Sequence, residues 1–310
     1  MIAGMKKIVI LLSLILSFNA TMALAKGGDV KIDEKTFPDE MFREFILSQD
    51  YGQDNVLSVA EIDTIRLMDC KSQWIRSLKG IEYFVALTDL DVSENPISTL
   101  DLSRFLSLKR LNCNETQIKL LDVSHNESLT ELKCDHNKLS FLNVSKNLSL
   151  RKLHCRRNNL RALDVTNNTA LTELSCEGNH ISSLDVSKNV ALKYLTCRNN
   201  KLSALDVSKN KGLTVLTCSS NQLAVLDVSE NESLVMFNCG RNKLTSLNVS
   251  QNADLRMLNC SNNKITTLDL RQNIDLREVF CKGNPLPSVS ILYDDFIIFE
   301  HPENCQVVKP

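Results

Sequence analysis

From residue 65 onward the apolar positions fall on one repeating template, with no sustained helical spacing. In the unit running from Leu129 to Asn147, Leu129, Leu132 and Cys134 are apolar with polar residues between them, and Leu139, Leu142 and Val144 follow. The opening Leu-x-x-Leu-x-Cys has the two-residue alternation of a short strand with one buried face. The same template begins again at Leu108, Leu150, Leu171, Leu192, Leu213, Leu234, Leu255 and Leu276, a spacing of 21 residues. Two further units precede these, at Leu87 and, less regularly, at Ile65. One coil of this length cannot enclose its own apolar side, whereas stacked coils can, so the pattern predicts a solenoid with a parallel β-sheet.

The polar residues of the template support the same reading. An Asn three residues after the Cys recurs at Asn137, Asn158, Asn179, Asn200, Asn221, Asn242, Asn263 and Asn284, with Asn95 in the same slot. At a buried turn its amide can both donate to and accept from the backbone of adjacent coils. A second Asn column closes the Leu-Asp-Val-Ser-x-Asn turn, from Asn126 to Asn273. Ten of the eleven cysteines, Cys70 and the series Cys113 to Cys281, occupy one inward slot. Neighbours there would sit about 4.8 Å apart with parallel Cβ directions, too far for an unstrained disulfide. They are expected to be free thiols acting as small apolar residues. Metal-binding Cys-x-x-Cys spacing is missing. Cys305 alone lies outside the ladder.

Leu-x-x-Leu-x-Cys-x-x-Asn-x-Leu is similar to the consensus of leucine-rich repeats, with Cys at the last strand position. The Leu-Asp-Val-Ser-x-Asn arc, and Leu78-Lys-Gly-Ile81-Glu-Tyr-Phe84 ahead of it, resemble secreted bacterial leucine-rich-repeat proteins of the internalin type. The resemblance implies a leucine-rich-repeat solenoid of about eleven coils, its parallel sheet on the concave side and a small helical cap at the N-terminus. It implies binding through that sheet and names no ligand, because the family shares an architecture.

Outside the repeats the chain reads in three pieces. Residues 1–25 have the form of an export signal: Lys6 and Lys7, an apolar run from Ile8 to Phe18, and Ala23-Leu24-Ala25 as a cleavage site. The apolar run is shorter than the roughly 20 residues of a spanning helix, so secretion is expected and membrane insertion is not. Residues 26–64 are expected to cap the first coil, with Met41, Phe42, Phe45 and Ile46 as a helical apolar stripe. Asp50, Asp54, Val56, Ser58 and Glu61 then follow the spacing of an EF-hand or dockerin-like calcium loop. Gly52 stands at the third-ligand position and Asn55 at the usual Gly, so calcium and a metal-free cap both remain open. Residues 65–285 are the repeats, and 286–310, with Leu292, Phe296, Ile297, Ile298 and Phe299, are expected to cover the far end.

Composition narrows the function. The formal net charge of −1 over 310 residues gives no electrostatic reason for nucleic acid binding. The cysteines read as core and the serines as turns, so no nucleophile with an orienting base can be assigned and an enzyme is not expected. The Asp column of Asp122, Asp164, Asp185, Asp206 and Asp227 reads as stacked solvated turns. What remains is the concave face. Its third-position column is charged through the early units and apolar at Tyr194, Val215, Met236 and Met257, with Phe280 next door in the fifth-position column. Lys152, His154, Arg156 and Arg157 form a basic cluster within one unit. These nine residues are the expected contact set for a protein partner, with a glycan on the same face as the alternative. No other cofactor is expected.

Overall fold

The computed structural model describes residues 28–293 and 295–309; the expected leader and its cleavage site after Ala25 lie outside them. Twelve short strands form one sheet, each bonded to its neighbour in coil order from Leu67–Asp69 to Ile298–Glu300. Pairing is parallel and in register throughout, as where Leu132 faces Leu153 and Leu153 faces Leu174. Eleven strands belong to the eleven repeat units. The twelfth comes from the segment 286–310, which therefore extends the sheet as well as covering its end. Its Ile297 and Tyr293 stay largely exposed, so the covering is incomplete.

Each strand is only three residues long because the coil needs one inward side chain there, with Leu129-type and Cys134-type residues on either side. Leu129, Leu132, Cys134, Leu139 and Val144 are all fully buried. All eleven thiols are free and buried. The Cys134 amide donates to the His154 carbonyl of the next coil at 2.8 Å, and its Sγ–H approaches the same oxygen at 3.4 Å. Burial pushes the Cys113 and Cys218 thiols up to about 12. Val92 fills the slot between Cys70 and Cys113. Cys305, outside the ladder, is buried too, and its proximity raises the pKa of Cys281 further, after burial itself.

The two Asn columns satisfy the turns in different ways. Asn158 donates from Nδ2 to the carbonyls of Cys134 at 2.9 Å and Cys155 at 3.2 Å, while its Oδ1 accepts from the Leu139 amide at 3.0 Å. Asn189, in the other column, donates to Val165 and Asn168 carbonyls at 2.9 and 2.8 Å. The Oδ1 atoms of that second column, from Asn126 to Asn273, are enclosed without a partner among the described residues. Its amides act as donors only.

The N-terminal cap docks by aromatic packing and by one carboxylate. Helix Glu40–Ser48 buries Phe42 and Ile46, and Phe37 stands 5.8 Å from Phe42 and 6.4 Å from Phe84, ring centre to ring centre. Asp39 caps the helix through the Phe42 amide and, with its other oxygen, accepts from the Arg76 and Ser77 amides at 2.9 Å. Gly80, at φ +104°, lets the coil come this close; a Cβ there would meet the Phe37 ring at 2.4 Å. Among the described residues no helix is long and apolar enough to cross a membrane.

Candidate binding face

Strand register builds the concave face directly. The first and third residues of each strand point outward on either side of a buried central residue. Tyr194 therefore stands beside Val215, Val215 beside Met236 and Met236 beside Met257, in one column about 4.8 Å apart. Tyr194 is 47% exposed and Met236 43%; Val215 and Met257 are half-buried. Glu173 borders the stripe at one end and Glu278 at the other. Phe280 is half-buried and lies in the neighbouring column, opposite Asn259. That second column carries Thr196, Thr217, Asn238 and Asn259 alongside the stripe. Past it opens a groove of about 330 Å³, whose lining includes Arg198, Ser220, Gly240, Arg241 and Ser261.

The basic cluster of the fifth unit is not a bare positive patch. His154 Nε2 lies 2.7 Å from Glu173 Oε1, and Lys152 Nζ is 3.8 Å from the same carboxylate. Arg156 reaches back one coil to Asp135, with Nε at 2.9 Å and a terminal nitrogen at 2.8 Å, while its backbone amide donates to the other Asp135 oxygen. Arg157 is exposed but sits on the turn with φ +49°. The structure brings Lys152 and His154 together on the face and pairs them; Arg156 and Arg157 lie past the strand end.

The neighbouring early coils follow suit. Arg110 pairs with Asp89, Asn112 donates to Asp91 at 2.7 Å, and Lys133 pairs with Glu131 at 2.7 Å. The face begins with Leu67, 63% exposed in the same column as Asp89, a residue the template reading did not include. A turn column was also missed: Glu94, Glu115, His136, Arg157, Asn199, Ser220, Arg241 and Asn262 all have positive φ. Gly178 and Gly283 in that column were the available signal.

The turn aspartates behave as solvated turns: the Ser187, Ser208 and Ser229 amides hold Asp185, Asp206 and Asp227 below the usual carboxylate range. The calcium-type loop folds as a cap. Asp50 starts a 3₁₀ turn, and Asp54 Oδ1 accepts from the Val56 amide at 3.0 Å. Glu61 Oε2 accepts from the Ser58 amide and hydroxyl at 2.8 and 2.7 Å, closing a capping box on helix Val59–Ile62. Asn55 does adopt the left-handed conformation, φ +63°. Among the described residues no group of three His, Cys, Asp or Glu is arranged to hold a metal, and with Gly52 in place of a third ligand the donor set as folded does not fit a calcium cage.

No family model and no curated protein matches the sequence. Among solved structures, the chain is similar to the functional domain of InlJ from Listeria monocytogenes, described as including a cysteine ladder. Identity is 31% and the TM-score 0.73, over 91% of this chain and 72% of that one. The chain belongs to the internalin-type leucine-rich-repeat family. The internalin InlF of the same species has a TM-score of 0.62 at 19% identity, over 88% of this chain and 97% of that one. The ectodomain of the Arabidopsis thaliana receptor kinase GASSHO1/SCHENGEN3, solved with CASPARIAN STRIP INTEGRITY FACTOR 2, has 0.60 at 19%, over 68% of this chain and 31% of that one. These two show the fold.

Proposed function

We propose that the chain is an exported, non-enzymatic binding protein that engages a protein partner through its concave sheet. Tyr194, Val215, Met236 and Met257 form the apolar centre of the contact, with Phe280 at its edge. The observation that carries this reading is the in-register stacking of four apolar side chains on an outward column. Outward positions are under no packing demand from the core, and two adjacent Met there match the adaptable surfaces on which Met is over-used. Apolar surface covered by a partner returns about 25 cal/mol per Å². Lys152, His154, Arg156 and Arg157 play a lesser part, because three of the four already have carboxylate partners on the chain. Export rests on the charged, apolar and small-residue pattern of residues 1–25.

A second reading has its own observation. The Thr196, Thr217, Asn238 and Asn259 column offers hydroxyl and amide groups that suit a glycan. Met236→Glu with Met257→Glu separates the two. Binding to intact cells is expected to fall more than about tenfold with the melting temperature nearly unchanged, and soluble polysaccharide arrays should stay blank. Unchanged cell binding by the double variant, or polysaccharide capture lost in Asn238→Ala with Asn259→Ala, would replace the protein reading with the glycan one.

A further inference from the structure

We infer that the partner segment covering the apolar stripe is acidic: a short stretch of polypeptide carrying carboxylates beside apolar side chains. This rests on the stripe being the contact and adds the chemistry of what it contacts.

The case begins with charge. In the four stretches 192–199, 213–220, 234–241 and 255–262 the charged residues are Lys193, Arg198, Arg241 and Arg256, and there is no Asp or Glu. Acidic residues return at the ends of the stripe, Glu173 and Glu278, and in the turns ahead of the strands, Glu232 and Asp254. Lys193 and Arg256 immediately precede Tyr194 and Met257, while Arg198 and Arg241 lie beyond the strand ends. The stripe is thus bracketed by cations on both sides.

Pairing makes the point sharper. Arg198 has a partner, Glu177 at 3.1 Å. The side chains of Lys193, Arg241 and Arg256 have none among the described residues. On the early coils Arg110, Lys133, Lys152 and Arg156 are satisfied by carboxylates of the chain itself, whereas Lys109 and Arg151, which precede their strands as Lys193 and Arg256 do, have no such partner among the described residues. What sets the later coils apart is the run of four consecutive stretches without an Asp or Glu alongside their cations.

The groove beside Arg241 gives such a carboxylate a place. Its room depends on Gly240, where a Cβ would come within 2.8 Å of Asn259 Oδ1. A guanidinium at the groove wall presents a planar fork suited to a carboxylate. The length fits a short segment: three steps of about 4.8 Å along the stack equal four to five residues of extended chain at about 3.3 Å each. A basic partner would meet like charges on both flanks of the stripe, and like-charge juxtaposition is a strong discriminator.

The probe is a displayed library of random dodecapeptides panned on the purified protein, followed by affinities of the recovered peptides. Recovered sequences should combine apolar residues with net negative charge. Their affinity should drop about tenfold or more in Arg241→Glu with Arg256→Glu, and less in Arg241→Gln. It should also weaken as ionic strength rises from about 0.05 to about 0.5 M. Melting temperatures of the variants, expected to match the parent, separate lost contacts from lost folding. Neutral or basic peptides that are lost in Met236→Glu with Met257→Glu would keep the stripe as the site and overturn the acidic partner. Peptides indifferent to both pairs of substitutions, or no enrichment at all, would overturn the inference together with the protein reading.

Discussion

The strands from Asp89–Asp91 to Glu173–Ser175 and those from Tyr194–Thr196 to Met257–Asn259 share a backbone, a register and a core, yet present unlike faces. On the earlier set the outward columns carry charges that find opposites one coil away or on their own strand: Asp89 with Arg110, Glu131 with Lys133, Glu173 with His154, and, past the strand ends, Asp135 with Arg156. On the later set the outward column is apolar and the flanking cations, Arg198 aside, are unpaired. A repeat protein constrains its inward positions strictly, since every coil must match its neighbours. Its outward positions are free to vary. On the reading proposed above, the early face largely satisfies itself and the later one leaves an apolar column for a partner to cover.

If the difference between the halves is confined to the face, the core beneath must respond as one body. The thiol ladder tests this with the largest expected effect. Cys113 and Cys218, one under each half, are both pushed up to about 12 by burial, against the ordinary thiol value of 9.0 expected in the unfolded chain. Above that lower value the unfolded chain gains by ionising and the folded chain does not. The ladder's contribution is therefore fully present below pH 9 and is lost as pH climbs toward 12. A single cooperative alkaline transition in circular dichroism is expected inside that window. Pulsed alkylation read by mass spectrometry should label Cys155 and Cys239 at the same rate, with neither reacting in the native protein at neutral pH. Two transitions, or one cysteine labelled well before the other, would mean the halves differ in depth.

Paired arginines give the next effect in size. Asp135 is almost completely buried and Arg156 supplies two of its bonds. Arg156→Ala leaves that carboxylate with only the backbone amide of residue 156 and should cost about 2 kcal/mol in denaturant unfolding. Arg241→Ala removes a side chain with no partner and should change stability by less than about 0.5 kcal/mol, while weakening peptide binding. Equal costs for the two would erase the distinction between a self-satisfied and an open face.

The sequence disclosed the inward half of the structure almost fully, because inward positions recur at one period: the strands, the cysteine ladder and both Asn columns follow from 21-residue spacing. The twelfth strand did not, since Ile298-Phe299-Glu300 has no Leu-x-x-Leu-x-Cys around it and pairs 20 residues from Glu278. The positive-φ column was hidden by residues such as Glu115, His136 and Arg157. Stacking imposes that conformation by tying their amides to the next coil, as where His136 donates to the Arg156 carbonyl at 2.8 Å. The pairing within the basic cluster was not legible, because Lys152, His154, Arg156 and Arg157 follow one another along one unit. Their neutralising partners, Asp135 and Glu173, stand one coil to either side, and outward charges have meaning only when summed across coils.

The smallest effect concerns the end of the early half, where the loop from Asp50 to Glu61 sits. The spacing is that of a calcium loop, and a cation there would stabilise the folded state by mass action, in proportion to the logarithm of its concentration over Kd. The folded loop spends its donors otherwise. Glu61 closes the capping box with Ser58, Asp54 holds the Val56 amide, and Gly52 packs against the helix end, where a Cβ would meet the Ile46 carbonyl at 2.1 Å. A carboxylate at position 52 is therefore excluded by packing as well as by sequence. Millimolar calcium should shift the melting temperature by less than about 1 °C, which at roughly 2–4 °C per kcal/mol for a chain of this size means well under 1 kcal/mol. Glu61→Gln keeps the reach of the side chain and should cost a few tenths of a kcal/mol as a weaker cap partner, equally with and without calcium. A calcium-dependent rise of several degrees that Glu61→Gln abolishes would show that the loop rearranges around the ion, and the first coil would then be sealed by metal as well as by Phe37 and Asp39.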